Sequence, residues 1–439
     1  MESKKIKEIL GTIKPFDKIR LELKDSREFE VMFIDFKNDV IRIKFDSGYN
    51  AGFKKENLKS IIKISSRKEN RPEQKANIVY EKKKGLKNIL IIHTGGTIAS
   101  KVDYETGGVK ALIKAEELIS LFPELREIVN IDTKLLMNVF SEDFEVRDYN
   151  MILKEIKSQY QKYDGFIITH GTDTLHYTAS ALKFAIDGLS KPIILVGSQR
   201  SSDRPSTDSR LNLLSAAYFI SKTDYSDVAI CMHKSTNDTE AVILNGFNTR
   251  KMHSSRRDAF RQIGSSPVAF VDFGKRKIDM LQDCPAVKIC SDPEITYYNE
   301  KLKLGILYAH PSMTVEEIKA FSSFDGLLII GTGLGHISIN DNDFSKNGGR
   351  IFSELKKLSE TTVIVMTTQT IYGRVNLNVY STGRKLESIG ILGNLCNTTP
   401  ETSFIKLFYL LSKYTKKEVK ELYGKNLKGE IVEREFLSL

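Results

Sequence analysis

Residues 88–97 read NILIIHTGGT, and residues 165–174 read GFIITHGTDT. Each stretch starts with a short apolar run and ends in a loop of glycine and threonine. After the second loop, Leu175, Ala179 and Leu182 recur at helical spacing. An apolar run, a glycine-containing loop and a helix in this order are typical of a parallel sheet covered by helices. The two stretches therefore predict an α/β fold.

The same pattern continues along most of the chain. Further short apolar runs lie at 192–196, 228–232, 304–308, 327–330 and 362–366. They predict parallel sheets with helices on both faces, in two lobes separated by an irregular segment at 275–303. Because ligands of such sheets bind beyond the carboxyl ends of the strands, we expect the chemistry in the loops that follow these runs.

The first part of the chain has a different pattern of apolar residues. Between residues 16 and 64, apolar side chains alternate with polar ones, as in Ile19, Leu21 and Leu23 or in Ile41 and Ile43. This period of two predicts antiparallel strands with one solvent-facing side, and we expect a small antiparallel β-barrel of the SH3 or Tudor type.

These patterns divide the chain into four segments. We predict a barrel at 1–66, a basic linker at 67–87, a first lobe with the catalytic site at 88–285 and a second lobe at 286–439. The linker is polar and Lys-rich, which favours a partly ordered connection. A solvated flap over the first lobe is an equally good interpretation.

Composition limits the possible classes of function. The 439 residues include 66 Lys and Arg against 56 Asp and Glu, a net charge of +10. This charge suits an anionic partner such as nucleic acid, and a generally Lys-rich composition explains it nearly as well. No apolar run is long enough to span a bilayer, and the first residues do not resemble a signal peptide. Four cysteines without Cys-x-x-Cys spacing and seven scattered histidines predict no metal site, no disulfide scaffold and a cytoplasmic location.

The two glycine–threonine loops each allow two interpretations. The loop Thr94–Thr97 lacks the lysine of a phosphate-binding loop, so it is either a tight turn or the carrier of a hydroxyl nucleophile. Thr172, Asp173 and Thr174 are good helix-capping residues, but a helix N-terminus can also stabilise a developing oxyanion.

Together the two loops resemble the paired motifs of the asparaginase/glutaminase family. The supporting segments are Thr94–Ala99, His170–Thr174, Val196–Arg200, Lys251 with Asp258–Phe260, Tyr380–Lys385 and Thr399–Glu401. The resemblance covers about residues 88 to 425. It implies a two-lobed asparaginase-like fold and hydrolysis of a side-chain amide, without a metal.

The resemblance also implies a role for individual residues. Thr97 is expected to be the nucleophile, and Tyr104 to belong to the loop that closes over the site. Thr172, Asp173 and Lys251 correspond to a second hydroxyl–carboxylate–amine set. The general base stays open: Lys251 could take the proton if burial and Arg250 favoured its neutral form, whereas Asp173 opposes this.

Two more positions are expected to contact the amino-acid end of the substrate. Ser141, together with Asp173, corresponds to such a contact in the family. The next residue, Glu142, is also expected to contact the substrate, and the group it contacts stays open because many members have glutamine there. His93 and His170 border the two loops, and we expect them to pack at strand ends.

Two segments, one before residue 88 and one starting at Lys251, point to one branch of the family. Lys37–Phe53 and Lys251–Arg261 resemble the branch formed by the D-type subunits of archaeal-type glutamyl-tRNA(Gln) amidotransferases. This implies hydrolysis of L-glutamine or L-asparagine and delivery of ammonia to a partner subunit with kinase and transamidase activities. ATP and Mg would be used by that partner, with none bound by this chain.

The resemblance further implies a homodimer within a heterotetramer that handles tRNA(Gln), away from any membrane.

Two other classes of function stay open. A stand-alone cytosolic L-asparaginase would need no segment before residue 88, and a non-catalytic nucleic-acid-binding module would be expected to lack one of the threonines or Lys251.

Overall fold

The computed structural model of the chain describes residues 6, 9–15, 17–45, 50–65, 81–96, 100–102, 109–111, 118–119, 121–200, 206–283 and 292–435. Two predicted site residues, Thr97 and Tyr104, lie outside the described residues, as do Cys284, Cys290 and most of the predicted linker. No helix within the described ranges is long and apolar enough to cross a bilayer.

The N-terminal unit is one antiparallel sheet with the strand order β4-β3-β2-β1-β5. Its strands are β1 (Lys18–Leu23), β2 (Glu28–Lys37), β3 (Val40–Lys44), β4 (Asn50–Lys54) and β5 (Leu58–Ser65). Ile19, Leu21 and Ile41 are fully buried on one face, as the alternation predicts. Asn38 and Asp39 both have positive φ, which fits the tight two-residue hairpin between β2 and β3. The predicted antiparallel N-terminal unit is confirmed, and its closure into a barrel stays a prediction.

The first lobe is built on an eight-stranded sheet with the order β18-β17-β14-β13-β12-β10-β6-β9. The strands of this part of the chain are β6 (Asn88–His93), β7 (Ser100–Val102), β8 (Val109–Ala111), β9 (Asn130–Leu135), β10 (Gly165–Thr169), β11 (Ile186–Asp187), β12 (Ile193–Val196), β13 (Val228–His233), β14 (Ala241–Asn245), β15 (Thr249–Lys251), β16 (Phe260–Gln262), β17 (Ala269–Asp272), β18 (Lys277–Met280) and β19 (Glu294–Ile295). The short pairs β7–β8, β11–β19 and β15–β16 form separate ribbons.

The prediction of a purely parallel sheet is too simple for this lobe. Strands β9, β6, β10, β12 and β13 are parallel, but β14, β17 and β18 continue the sheet antiparallel. The chain reverses directly between His233 and Ala241, which is too short for a helical crossover. The result is a mixed sheet whose parallel half carries the two glycine–threonine loops.

Helices cover both faces of this sheet. They are α1 (Leu125–Ile128), α2 (Val146–Gln159), α3 (Leu175–Ala185) and α4 (Ser209–Lys222). Alternate residues of β6 feed two separate cores, because Leu90 and Ile92 face α2 and α3 while Ile89 and Ile91 face α4. Such burial on both faces explains why these strands read as continuous apolar runs.

The second lobe contains a parallel sheet of β20 (Leu304–Tyr308), β21 (Gly326–Gly331) and β22 (Val363–Thr368). Its helices are α5 (Val315–Lys319), α6 (Asn347–Ser359), α7 (Ser381–Ser388), α8 (Pro400–Lys413) and α9 (Lys416–Leu422). Leu328 and Leu407 of this lobe belong to the same buried cluster as Leu182 and Phe184 of α3. The two lobes therefore share a core, and α8 lies beside the helix that starts at the second glycine–threonine loop.

Candidate active site

The loops after β6 and β10 touch each other at the carboxyl edge of the sheet. Thr94 donates its backbone N–H and its hydroxyl to the carbonyl of Thr169, at 3.2 and 2.8 Å. A β-carbon on Gly96 would lie 2.7 Å from the backbone nitrogen of Gly171. Only glycine permits this approach. Gly96, which precedes Thr97, therefore lies against Gly171, which precedes Thr172.

Thr172, Asp173 and Lys251 form one hydrogen-bonded set. The Nζ of Lys251 lies 2.8 Å from Thr172 Oγ1 and 2.8 Å from Asp173 Oδ1. The Lys251 side chain is 9% exposed and that of Asp173 62% exposed, so the ammonium lies beneath the surface and the carboxylate faces the opening. This places a cation beside a buried hydroxyl, an arrangement that can transfer a proton or stabilise negative charge on oxygen.

Local structure fixes this set from two sides. Thr172 and Asp173 precede α3, where Thr174 makes no side-chain capping bond to the helix but donates its hydroxyl to the Ser141 carbonyl at 2.5 Å. Lys251 ends β15 and pairs across the ribbon with the buried Phe260 of β16. Thr174 therefore stands at the N-cap position of α3, but its side chain does not cap the helix.

Ser141 lies directly behind the Thr172–Asp173 turn. Its buried hydroxyl accepts the backbone N–H of Asp173 at 3.2 Å, and its β-carbon would lie 2.8 Å from one placed on Gly171. Glu142 follows in the same short turn with its side chain exposed. Ser141, Thr172, Asp173 and Lys251 thus come together, and Glu142 lies next to Ser141.

Gln199 belongs to this site, although the sequence analysis did not single it out. It follows β12, the third neighbouring parallel strand, and its Oε1 lies 3.5 Å from the Thr172 hydroxyl. Its amide nitrogen is buried without a hydrogen-bond partner among the described residues. The segment Val196–Arg200 counted only toward the family resemblance. Its place after a buried strand is the signal that could have identified Gln199.

The two histidines beside the loops are neutral packing residues. Burial lowers the pKa of His93 and that of His170 to about 4. His170 donates Nδ1–H to the Gly171 carbonyl at 2.7 Å, so in the neutral ring Nε2 accepts the Thr178 hydroxyl at 2.8 Å. His93 Nδ1 lies 3.0 Å from Thr169 Oγ1. Both rings hold the ends of β6 and β10 in place.

Basic residues around Lys251 are paired within the chain. The Arg250 guanidinium lies 3.4 Å from the Glu401 carboxylate. Arg256 and Arg261 both bond Asp258. Burial disfavours the charged form of Asp258, but these hydrogen bonds outweigh it and hold its pKa below the usual value. The basic charge here supports the loop after β15.

Among the described residues, no group of three or more His, Cys, Asp or Glu side chains could hold a metal ion. The groups that do meet at this edge of the sheet are the hydroxyl of Thr172, the carboxylate of Asp173 and the ammonium of Lys251.

Three family models match the chain. They are "Asparaginase, N-terminal" at residues 88–284, "Glutaminase/Asparaginase C-terminal domain" at 303–423 and "GatD N-terminal domain" at 13–64.

Curated relatives match over nearly the whole length. The D-type subunit of glutamyl-tRNA(Gln) amidotransferase from Methanococcus maripaludis is 38% identical over 424 residues, covering 95% of this chain and 98% of the relative. The corresponding protein from Pyrococcus furiosus is 40% identical, covering 90% and 88%.

Among solved structures, the thermostable L-asparaginase from Thermococcus kodakarensis superposes with a TM-score of 0.68 at 27% identity. That match covers 79% of this chain and 99% of the asparaginase.

Proposed function

The chain belongs to the GatD branch of the asparaginase/glutaminase family, the D-type subunits of glutamyl-tRNA(Gln) amidotransferase, and from this membership we propose that it hydrolyses the side-chain amide of glutamine through an acyl-enzyme. The observation that carries the proposal is the Thr172–Asp173–Lys251 set at the edge of the sheet, with both Lys251 contacts at 2.8 Å. The Gly96–Gly171 contact joins the loop of Thr97 to this set.

In this mechanism Thr97 attacks the carboxamide carbon. A threonine hydroxyl is a weak nucleophile until its proton is removed, and the Lys251–Thr172 pair supplies a route for proton transfer. The tetrahedral intermediate collapses as the amide nitrogen takes a proton and leaves as ammonia. Water then attacks the ester on Thr97, which releases glutamate and restores the hydroxyl.

Each remaining site residue has a role in the same proposal. Asp173 and Ser141 hold the amino-acid end of the substrate, with Glu142 beside them in the same turn. Tyr104 closes the site, and the Gln199 amide adds a hydrogen-bonding group next to Thr172. L-asparagine, which carries the same amide on a shorter side chain, uses the same groups.

The ammonia is passed to a partner subunit that converts Glu-tRNA(Gln) to Gln-tRNA(Gln). The GatD-type N-terminal unit at residues 13–64, which an isolated amidase does not need, supports this part of the proposal. The partner subunit uses ATP and Mg. Two copies of each subunit form the complex, which works in the cytoplasm. Free cysteines such as Cys231 fit that compartment.

A stand-alone L-asparaginase is the second candidate. The superposition on a solved L-asparaginase over 79% of the chain favours it. The N-terminal unit at residues 13–64 has no role in such an enzyme.

Ammonia release separates the two candidates. We expect the chain with its partner subunit and charged tRNA to release ammonia from glutamine, and Thr97→Ala to lower the rate at least about a thousandfold with an unchanged melting temperature. Release by the chain alone from asparagine, indifferent to partner and tRNA, would identify a stand-alone asparaginase. Retained turnover in Thr97→Ala would exclude Thr97 as the nucleophile.

A further inference from the structure

Asn248 connects the ribbon that carries Lys251 to the second lobe. It lies one residue before β15, is 2% exposed and has a φ of 54°. Its backbone N–H donates to Thr402 Oγ1 at 3.0 Å, and its Oδ1 accepts the Thr399 N–H at 3.1 Å. Thr399 caps α8 and Thr402 lies in its first turn, so the start of β15 is fastened to that helix.

The side-chain amide nitrogen of Asn248 reaches a different segment. Its Nδ2 donates to the backbone carbonyl of Glu430 at 2.7 Å. Glu430 lies in residues 424–435, which we name the C-terminal clamp. These residues follow position 423, where the match to the asparaginase C-terminal domain ends. The clamp therefore adds a contact to the Lys251 ribbon from outside the shared family domain.

A buried ion pair holds the clamp against α8. Lys406 Nζ lies 2.6 Å from Glu430 Oε1, and the two side chains are 1% and 0% exposed. The same carboxylate accepts the backbone N–H groups of Leu427 and Lys428 at 3.0 and 2.8 Å. Removing one partner of such a pair leaves an uncompensated buried charge, so the position of Glu430 is strongly fixed.

The clamp also contacts the end of α3. Lys428 Nζ donates to the carbonyls of Phe184 and Ile186 at 2.6 and 3.2 Å and lies 2.7 Å from Asp187 Oδ1. A lysine at a helix C-terminus interacts favourably with the helix dipole and the free carbonyls. The opposite end of α3 follows Thr172 and Asp173, so the clamp touches both elements that build the set around Lys251.

Between the clamp and the ribbon lies a cavity of about 240 Å³, lined by Asn245 and Gln262 on one side and by Gly429, Ile431 and Val432 on the other. Phe260 anchors the far side of the ribbon in the core, whereas on this side the clamp reaches the ribbon through the bond from Asn248 to the Glu430 carbonyl.

We propose that the C-terminal clamp positions Lys251 against Thr172 and Asp173, with Asn248 as the positioning residue through which it acts. The clamp fixes α3 through Lys428 and the Lys251 ribbon through Asn248, and so sets the two 2.8 Å contacts of the Lys251 ammonium. The kinetic part of this inference rests on the proposed function.

The decisive variant is Asn248→Gly, which accepts the positive φ and removes both side-chain bonds. Tyr423→Phe is the matched control, because it removes a buried hydrogen bond in the same lobe, from the Tyr423 hydroxyl to the Ser403 carbonyl at 3.1 Å, without touching the ribbon. Glutamine hydrolysis is measured in the complex with the partner subunit, with Lys251→Met as the reference for complete loss.

We expect Asn248→Gly to lower kcat by roughly 10- to 100-fold, because displacement of a reacting group by about 1 Å costs on that order. KM should stay within about threefold, since Ser141 still holds the Asp173 turn. Tyr423→Phe should lower the melting temperature but keep kcat. A normal kcat in Asn248→Gly, or equal losses of kcat in the two variants, would overturn the positioning role.

Amide hydrogen exchange provides a readout that does not depend on activity. Exchange in residues 249–262 should accelerate in Asn248→Gly and stay unchanged in Tyr423→Phe. If the wild-type complex released no ammonia, the proposed function would fail, while this exchange result would still decide the clamp. Unchanged exchange in Asn248→Gly would refute it.

Lys428→Met tests the other end of the clamp if Asn248→Gly does not fold, because it leaves the Lys406–Glu430 pair intact. Faster exchange at 175–187 together with a lower kcat would support the clamp. Wild-type values of both would overturn it.

Discussion

Lys251 lies 79 residues along the chain from the hydroxyl it contacts in Thr172. No local pattern links two residues at that separation, so physical reasoning from the sequence alone could not pair them. The family motifs placed both residues in one site, and the 2.8 Å contact agrees with that placement. Gln199 was not singled out because the loop after β12 served only for the family resemblance; in the structure its backbone N–H is held by Asp208.

The buried histidines predict a pH dependence of stability. Folding lowers the pKa of His93 and of His170 from the ordinary 6.5 to about 4. Between these values the unfolded chain binds protons that the folded chain does not, so the free energy of unfolding should fall as the pH drops from 6.5 toward 4. Each ring should contribute at most about 2 kcal/mol of loss between pH 7 and pH 5.

Urea unfolding of wild type and His93→Gln at pH 7 and pH 5 measures this effect. The variant should lose less stability on acidification than the wild type. His310→Gln is the control, because hydrogen bonds to the Pro311 carbonyl and to Glu317 raise the pKa of the exposed His310, and removing it cannot reduce the loss. An identical loss in wild type and His93→Gln would contradict the prediction.

At the scale of elements, the alternation of apolar runs and loops was enough to find the strands that matter. The apolar runs at 89–92 and 165–168 lie in β6 and β10, which are adjacent and parallel, with their loops in contact. The antiparallel continuation through β14, β17 and β18 could not be predicted, because a fully buried strand reads the same in either direction. The ribbon that carries Lys251 grows out of this unpredicted part.

Gly96 should tolerate no side chain. In Gly96→Ala the new β-carbon would lie 2.7 Å from Gly171 N, at a φ of 78°. Gly85→Ala is the matched control, with a φ of 91° and no atom within 4 Å. Both substitutions carry the left-handed strain of about 1–2 kcal/mol, but only the first adds an overlap of roughly 1–3 kcal/mol.

We therefore expect Gly96→Ala to lose most glutamine hydrolysis and to melt at a lower temperature than Gly85→Ala. Ammonia release and thermal melting of the two variants provide the comparison. Equal activity in both would mean that the two loops can move apart without harm.

On the scale of the whole molecule, the change in the spacing of apolar residues indicated the division into an antiparallel N-terminal unit and an α/β body. The contact between lobes was not predictable, because it depends on α8 packing beside α3, far apart in sequence. Residues 81–87, expected to link the units, partly lie against the first lobe: Lys82 pairs with Asp132 at 2.6 Å, and the Lys83 N–H donates to Asn130.

Removing residues 1–80 should separate the roles of the two units. The N-terminal sheet has its own cluster of buried residues, including Ile19, Val31 and Ile43. The shortened chain should therefore keep the melting temperature of the α/β body, while its affinity for the partner subunit falls at least about tenfold. Titration calorimetry with the partner measures this, and an unaltered affinity would contradict a docking role for the N-terminal unit.

The buried cluster that joins Leu182 and Phe184 to Leu328 and Leu407 has a thermal consequence. Neither lobe can lose its order while the other keeps a complete interior, so both should denature in one cooperative transition, separate from that of the N-terminal sheet. Heating would then never produce a partly unfolded active site that binds the substrate but cannot hydrolyse it. The molecule would lose recognition and chemistry at the same temperature.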